Sequence, residues 1–437
     1  MEPRSVHTTC CVVGGGPAGM ITGFLLARAG IPVVVLEKHR DFFRDFRGDT
    51  LHPSTFNIMA QLGLLDAFLK VPHQEITELS AVYNGRRLRF ADFSHLHAAK
   101  PALGLMPQWD FLNFITEQAS KYPNFTLLRE TNVTGLLQTP TAPPLSNTPA
   151  APGTQSPPTN PHLQPPRITG VHAETPAGGL DIHASLVIGA DGRGSTVRKA
   201  AGLEPIETGV PIDVLWFRLS RHPDDPGTVF GNFYRGRILI LVYRGDYWQC
   251  GLVIDKGGFE KIKADGLENF RDQLTVICPF LKNRIHELTD WSKVNLLVVK
   301  IDHLETWYTN GLLCIGDAAH AMSPVGGVGI NLAIQDAVAT ANILWAPLKN
   351  NQPITETLLR KVQKRRAWPT RITQAFQATV HKGISYKREG TAEKGPPLFF
   401  LLLHHVALLR RLPARFLGQG VRPETVRCPE APPAPGT

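Results

Sequence analysis

The stretch CCVVGGGPAGMITGFLLARAGIPVVVLEK, residues 10–38, decides the fold. Cys10-Cys11-Val12-Val13 is a short apolar run suited to a buried parallel strand. The pattern G-x-G-x-x-G follows at Gly14, Gly16 and Gly19. Small and apolar residues 20–29 then read as a helix closed by Gly30, and residues 31–36 as a second strand ending at Glu37. This is a βαβ unit of dinucleotide-binding length. Gly14 allows the tight turn, Gly16 lets backbone approach a pyrophosphate, and Gly19 lets helix and strand pack closely. Pro17 and Ala18 open the helix, whose N-terminus offers unpaired N–H groups and partial positive charge to phosphates. Glu37, next to Lys38, is placed to accept hydrogen bonds from an adenosine ribose; an acid there suits a ribose without a 2′-phosphate. A glycine turn that merely joins strand to helix leaves that acid unexplained.

A second signal lies in the C-terminal third, GDAAHAMSPVGGVGIN at 316–331. Residues 311–315 form another buried-strand candidate, and Gly316-Asp317 sits at its end, where ligands gather in such sheets. From Pro324 to the start of the next helix, only Val325 and Val328 carry sizeable side chains, so Gly327 and Gly329 let backbone lie close to a flat ring. The helix from Gly329 runs on through Ile330, Asn331 and Ala333. Its N-terminus would face the electron-rich end of an isoalloxazine and stabilise negative charge there, while Asp317 accepts from a ribityl hydroxyl. Between the two signals, Leu186-Val187-Ile188-Gly189-Ala190-Asp191-Gly192-Arg193 is a strand running into a turn before a helix at Thr196. Asp191 has two readings, a cofactor contact or a cap for that helix.

With these three motifs, GGGPAG at 14–19, GADG at 189–192 and GDAAH at 316–320, the chain resembles the single-component FAD-dependent aromatic hydroxylases of the p-hydroxybenzoate hydroxylase type. The resemblance covers most of residues 8–345. It implies an α/β (α+β, two-domain) fold: a Rossmann-like FAD-binding domain, a β-sheet substrate domain and C-terminal helices. It also implies that Arg47, in Arg47-Gly48-Asp49-Thr50-Leu51-His52-Pro53, reaches the FAD pyrophosphate, and that Gln108 at a helix start contacts FAD. NADPH or NADH would reduce the flavin, O₂ would add to it, and the C4a-hydroperoxide would pass one oxygen atom to the substrate. The cofactor carries that chemistry while the protein positions it and excludes water, so no catalytic triad is expected. His52 and His320 are candidates to lie near the flavin, with a structural role the weightier reading for each. No second G-x-G-x-x-G follows a strand, and no paired-cysteine redox motif is present. Both argue against the two-dinucleotide-domain flavoproteins.

At 437 residues with 43% apolar content, the chain can bury more than one core. The expected division is a discontinuous FAD-binding domain at 1–76, 100–209 and 300–348, a sheet domain at 77–99 and 210–299, and a basic helical region at 349–437. Residues 139–166, rich in Pro, Thr, Ser and Asn, read as a disordered surface insertion. The substrate is expected to be apolar, aromatic or polycyclic, with Trp216, Phe217, Phe230, Phe233 and Tyr234 as candidates either to line its pocket or to form sheet core. An oxygen-independent reductase or dehydrogenase acting on a lipid-like substrate is the alternative, because fold does not fix function.

Six cysteines without C-x-x-C or metal-ligand spacing point to a reducing compartment, most simply cytosol, and to no metal. The segment before the first strand is too short for a secretory signal. The formal charge of +9 is concentrated in residues 351–437, which hold 15 Lys/Arg and 5 Glu. That tail reads first as a helix packed on the enzyme with its basic face solvated. Weak contact with an anionic membrane surface, or attraction of an anionic substrate or NADPH, are the functional readings. No nucleic-acid recognition module is present.

Overall fold

The computed structural model describes residues 4–43, 50–139, 166–225, 231–234, 236–386, 396 and 398–431, except for the side chains of 382–386. Arg47, Phe230 and positions 140–165 of the expected insertion lie outside the described residues.

An eight-stranded sheet organises the first body. Its parallel centre runs Leu312–Cys314, Gly178–Gly189, Arg4–Val13, Val33–Leu36 and Phe125–Leu128. The central strands are buried apolar runs, as two-sided burial demands. The first strand begins at Arg4, well before the apolar run that announces it. Helices Pro17–Arg28, Gln108–Ala119 and Gly329–Lys349 cover the sheet. Asn132–Gln138 and Ile168–Thr175 add an antiparallel extension, with Gln138 opposite Ile168. Cys10, Cys11 and Cys314 pack in this core as small apolar residues, and burial pushes the Cys11 thiol up to about 12.

A seven-stranded sheet forms the second body, in the order Asn295–Leu297, Ile212–Ser220, Tyr247–Asp255, Arg237–Tyr243, Gly231–Tyr234, Glu78–Tyr83 and Arg86–Asp92. The hairpin between Glu78–Tyr83 and Arg86–Asp92 turns at Asn84-Gly85, both at positive φ (47° and 83°). Strand alternation splits the expected pocket residues. Phe217 and Tyr234 point towards helix Leu267–Ile277 and its neighbouring core, whereas Trp216 and Phe233 point the other way. Phe217 is thus sheet core on the reverse face, one of the two places open to it.

The C-terminal region matches a packed helix with a solvated basic face only in part: Arg360, Lys361 and Lys364 are exposed, but Arg365 and Arg366 turn inward. Arg366, on helix Glu356–Tyr386, is fully buried; its Nε meets Asp336 Oδ1 at 2.9 Å and its Nη1 meets Glu424 Oε1 at 3.3 Å. Arg365 also pairs with Glu424, at 2.6 Å. Beyond helix Arg411–Gln419, residues 421–431 form no helix. They lie across the first body through Val426 N–H to Gln61 Oε1 (2.7 Å), Cys428 N–H to Asn342 Oδ1 (2.9 Å) and Ala431 N–H to Arg28 O (2.8 Å). Among the described residues, no helix is long and apolar enough to cross a membrane.

Candidate functional site

One registered row of the large sheet gathers the sequence motifs. Val13 stands opposite both Gly189 and Leu36, and Gly189 stands opposite Cys314. The residues leaving that row are Gly14, Ala190-Asp191, Glu37 and Ile315-Gly316-Asp317. Segments far apart in the chain therefore emerge side by side at the carboxyl ends of parallel strands, where open α/β sheets bind ligands.

The three fingerprint glycines do different work. Gly14 adopts φ +105°, and a Cβ there would lie 2.4 Å from Ala190 O. A Cβ on Gly19 would sit 1.9 Å from Gly14 O, so helix and turn fit only without one. A Cβ on Gly16 would meet nothing within 4 Å. The first and third glycines serve protein packing, and the second borders open space at the helix N-terminus. That helix has Pro17 in its first turn and no side-chain cap, so its leading N–H groups are not satisfied by a capping side chain. Glu37 Oε2 accepts from Gly15 N–H and its Oε1 from His39 N–H, both at 3.0 Å, which fixes the carboxylate beside the turn. Lys38 is exposed. Gln108 is half-buried at the start of its helix, after Pro107.

The second motif adjoins the first directly. Gly316 has φ +58°, and a Cβ there would lie 3.1 Å from Ala18 Cβ and 3.4 Å from Ala333 Cβ. Asp317 is about one-third exposed, and its Oδ2 accepts from Arg193 Nε at 3.2 Å. Arg193 also donates from Nη2 to Met322 O at 2.7 Å, and buried Arg198 donates to Ala318 O at 3.1 Å. The residues that follow GADG therefore clamp residues 317–322 through two arginines. Arg193 adjoins the glycine turn in the sequence, but its partners Asp317 and Met322 are too remote in the chain for the sequence to show.

Asp191 caps a helix: its Oδ2 accepts from Thr196 N–H (2.7 Å) and Val197 N–H (3.3 Å). Its buried Oδ1 has no hydrogen-bond partner. Burial raises its carboxyl above the ordinary value, against the hydrogen bonds it accepts. The cap is thus realised, and one oxygen remains to accept from a bound group.

Residues 324–331 are held from beneath. Gly326 and Gly327 have φ +81° and +61°, and a Cβ on Gly327 would press to 2.7 Å from Thr50 Cβ. Pro324 precedes them at φ −66°; Gly329 begins the long helix, and Ile330 is buried. Asn331 is a staple. Its Oδ1 accepts from His52 N–H and Thr55 Oγ1, each at 2.8 Å, and its Nδ2 donates to Thr50 O (2.9 Å) and Gly327 O (3.1 Å). All four capacities of the amide are used within the protein, so the side chain shapes the loop.

Both candidate histidines are structural in geometry. Buried His52 donates from Nδ1 to Leu417 O at 2.6 Å, and burial lowers its pKa to about 4. His320 Nε2 bonds Asp336 Oδ2 at 2.6 Å, with its ring against Trp307 at 4.9 Å. Asp336 also accepts from Gly316 N–H at 3.1 Å. Burial opposes ionisation of Asp336, but His320 and Arg366 overcome it and hold the carboxyl below its usual range. His320 thereby fixes the carboxylate that anchors the Gly316 turn.

The apolar face of the second sheet looks towards this loop. Val242 packs in one cluster with Met322, Val328, Leu332 and Leu417, and its strand places Ile238 and Ile240 on the same face. Trp216 and Phe233 share that face. Gln249, buried and directly opposite Val242 and Arg218, puts a polar group there, with Arg244 Nε donating to its Oε1 at 3.0 Å. The sequence reading missed Gln249; its signal is a polar residue at an inward position of an otherwise apolar strand. A cavity of about 270 Å³ lined by Asn232, Tyr234, Trp248 and Phe280 lies on the reverse face, behind the sheet.

These residues fit a flavin dinucleotide: open space at Gly16, an unsatisfied oxygen on Asp191, an accessible carboxylate on Asp317 and a glycine loop free of bulky side chains. Comparison with known proteins agrees. A family model described as FAD binding domain matches residues 7–149 and 167–375. The chain is 32% identical over 366 residues to 6-methylpretetramide 4-monooxygenase of Streptomyces rimosus, covering 82% of this chain and 80% of that protein. The structure of p-nitrophenol 4-monooxygenase from Pseudomonas putida superposes with a TM-score of 0.72 at 19% identity, over 96% of this chain and 100% of that one. PqsL of P. aeruginosa, in complex with 2-aminobenzoylacetate, superposes with a TM-score of 0.70 at 21% identity, over 87% and 98%.

Proposed function

We propose that this chain, which belongs to the family of single-component FAD-dependent aromatic monooxygenases, uses NADPH or NADH and O₂ to hydroxylate an apolar aromatic or polycyclic small molecule. Bound FAD would accept reducing equivalents from the nicotinamide and activate O₂. The chain's own residues bind, orient and shield. The 14–19 turn and the N-terminus of helix Pro17–Arg28 hold the pyrophosphate, and Glu37 accepts from the adenosine ribose. Asp317, oriented by Arg193, accepts from the ribityl chain. The N-terminus of helix Gly329–Lys349 offsets negative charge on the reduced ring. Trp216, Phe233 and Val242 would exclude water from the site, and Gln249 would offer a hydrogen bond to a polar substituent of the substrate.

The observation that carries this reading is the convergence of Gly14, Glu37, Asp191 and Asp317 on one strand-end row, opposite an apolar sheet face. A polycyclic substrate is favoured by the 32% identity to a protein named for 6-methylpretetramide. The test is product mass after incubation with NADPH or NADH, isotopically labelled O₂ and a panel of phenols and polycyclic aromatics. One labelled oxygen atom in a product supports hydroxylation. A reduced, unlabelled product would place the chain with oxygen-independent reductases instead.

A further inference from the structure

Helix Leu398–His405 and the segment after it leave large apolar side chains in water. Leu398 is 72% exposed, Phe399 62%, Leu408 64% and Leu412 66%, with Leu402 and Val406 beside them. Soluble surfaces seldom gather so many large apolar groups in one place. The element is nevertheless well anchored. Phe400 packs edge-on against Phe90 at 5.9 Å, Leu403 is buried, and Arg89 N–H donates to His404 Nδ1 at 3.2 Å. The apolar groups therefore project from a docked platform.

Around this platform the charge is positive. Arg86, Arg87 and Arg89 lie exposed on the edge strand beneath it, and Arg411 and Arg415 flank Leu412 on the outward side of helix Arg411–Gln419. Glu78 offers a carboxylate 3.5 Å from both Arg89 and Arg410, which leaves the balance strongly cationic. His404 records the same field: burial, then the positive neighbours His405, Arg86, Arg89 and Arg410, push its pKa down.

We propose that the surface formed by helices Leu398–His405 and Arg411–Gln419, with the arginines of strand Arg86–Asp92, docks the protein on an anionic lipid surface. Exposed leucines and a phenylalanine enter the headgroup–acyl boundary while the arginines stay with the anionic headgroups. A second copy of this chain is a poorer occupant, because a self-facing patch would bring the two arginine rims together. The docked element also touches the cofactor loop. Leu417 O holds His52, and a Cβ on Gly326 would lie 3.2 Å from the Leu417 side chain. A lipid-borne apolar substrate would thus be met beside the site.

The test is vesicle flotation of the flavin-loaded protein, using phosphatidylcholine vesicles with and without phosphatidylglycerol. Flotation is expected only with the anionic vesicles, to weaken with added salt, and to fall about tenfold in the double variant Leu408→Glu/Leu412→Glu. Flavin content and melting temperature should stay unchanged. If that variant misfolds, Arg411→Glu/Arg415→Glu, at exposed positions, should give the same loss. The proposal is overturned by absent flotation, by flotation indifferent to anionic lipid or to both variants, or by a concentration-dependent dimer that the variants dissolve.

Discussion

His52 illustrates how a titratable side chain can matter to this site without touching the chemistry. It is neutral and buried, its backbone is held by Asn331, and its ring is held by Leu417. Its pKa falls from 6.5 to about 4 on folding, so between those values the unfolded chain binds the proton and the folded chain does not. Stability therefore declines as pH drops through that window, by on the order of 3 kcal/mol in full. His52→Gln removes the titrating group while keeping a donor. Its melting temperature should fall less than that of the parent between neutral pH and about 4.5. Parallel pH profiles would contradict the assignment. Arg366 makes the matching point for charge: it neutralises Asp336, which in turn holds Gly316 and His320.

At the scale of elements, the chain leaves and re-enters the sheet at one point around residues 140–165. Gln138 pairs with Ile168, and Thr139 N–H donates to Arg167 O at 2.9 Å. Replacing 140–165 by a short turn should leave flavin content and melting temperature nearly unchanged, because no strand pairing is cut. A large loss of either would show that the segment supports the body. The same elements show what the sequence can express. The fingerprint turn was legible because local chemistry dictates it: only glycine fits where Gly14 and Gly19 pack. The clamp from Arg193 to Asp317, the buried pairing of Arg366 and the path of residues 421–431 were not. Their partners are remote in sequence, and a run such as Lys364-Arg365-Arg366 looks solvated until Asp336 and Glu424 are placed beside it. Phe217 and Trp216 were read as one aromatic group, but as neighbours on one strand they face opposite sides of the sheet.

For the whole molecule, the fold brings the two ends of the chain's cofactor signal onto one row of strand ends and sets an apolar sheet face opposite. Gly16 offers a way to probe that arrangement without disturbing the protein around it. Its backbone is extended at φ −74° and ψ −178°, which valine accepts, and its Cβ direction meets no protein atom. The measurement is FAD titration of the apoprotein of Gly16→Val against the parent, with melting temperature read on both apoproteins. If the open space at Gly16 receives the pyrophosphate, the variant should lose affinity by more than about tenfold, ~1.4 kcal/mol, while its apoprotein melts as the parent does. Undiminished FAD affinity in a normally folded Gly16→Val protein would contradict the cofactor's placement at this row and the account built on it.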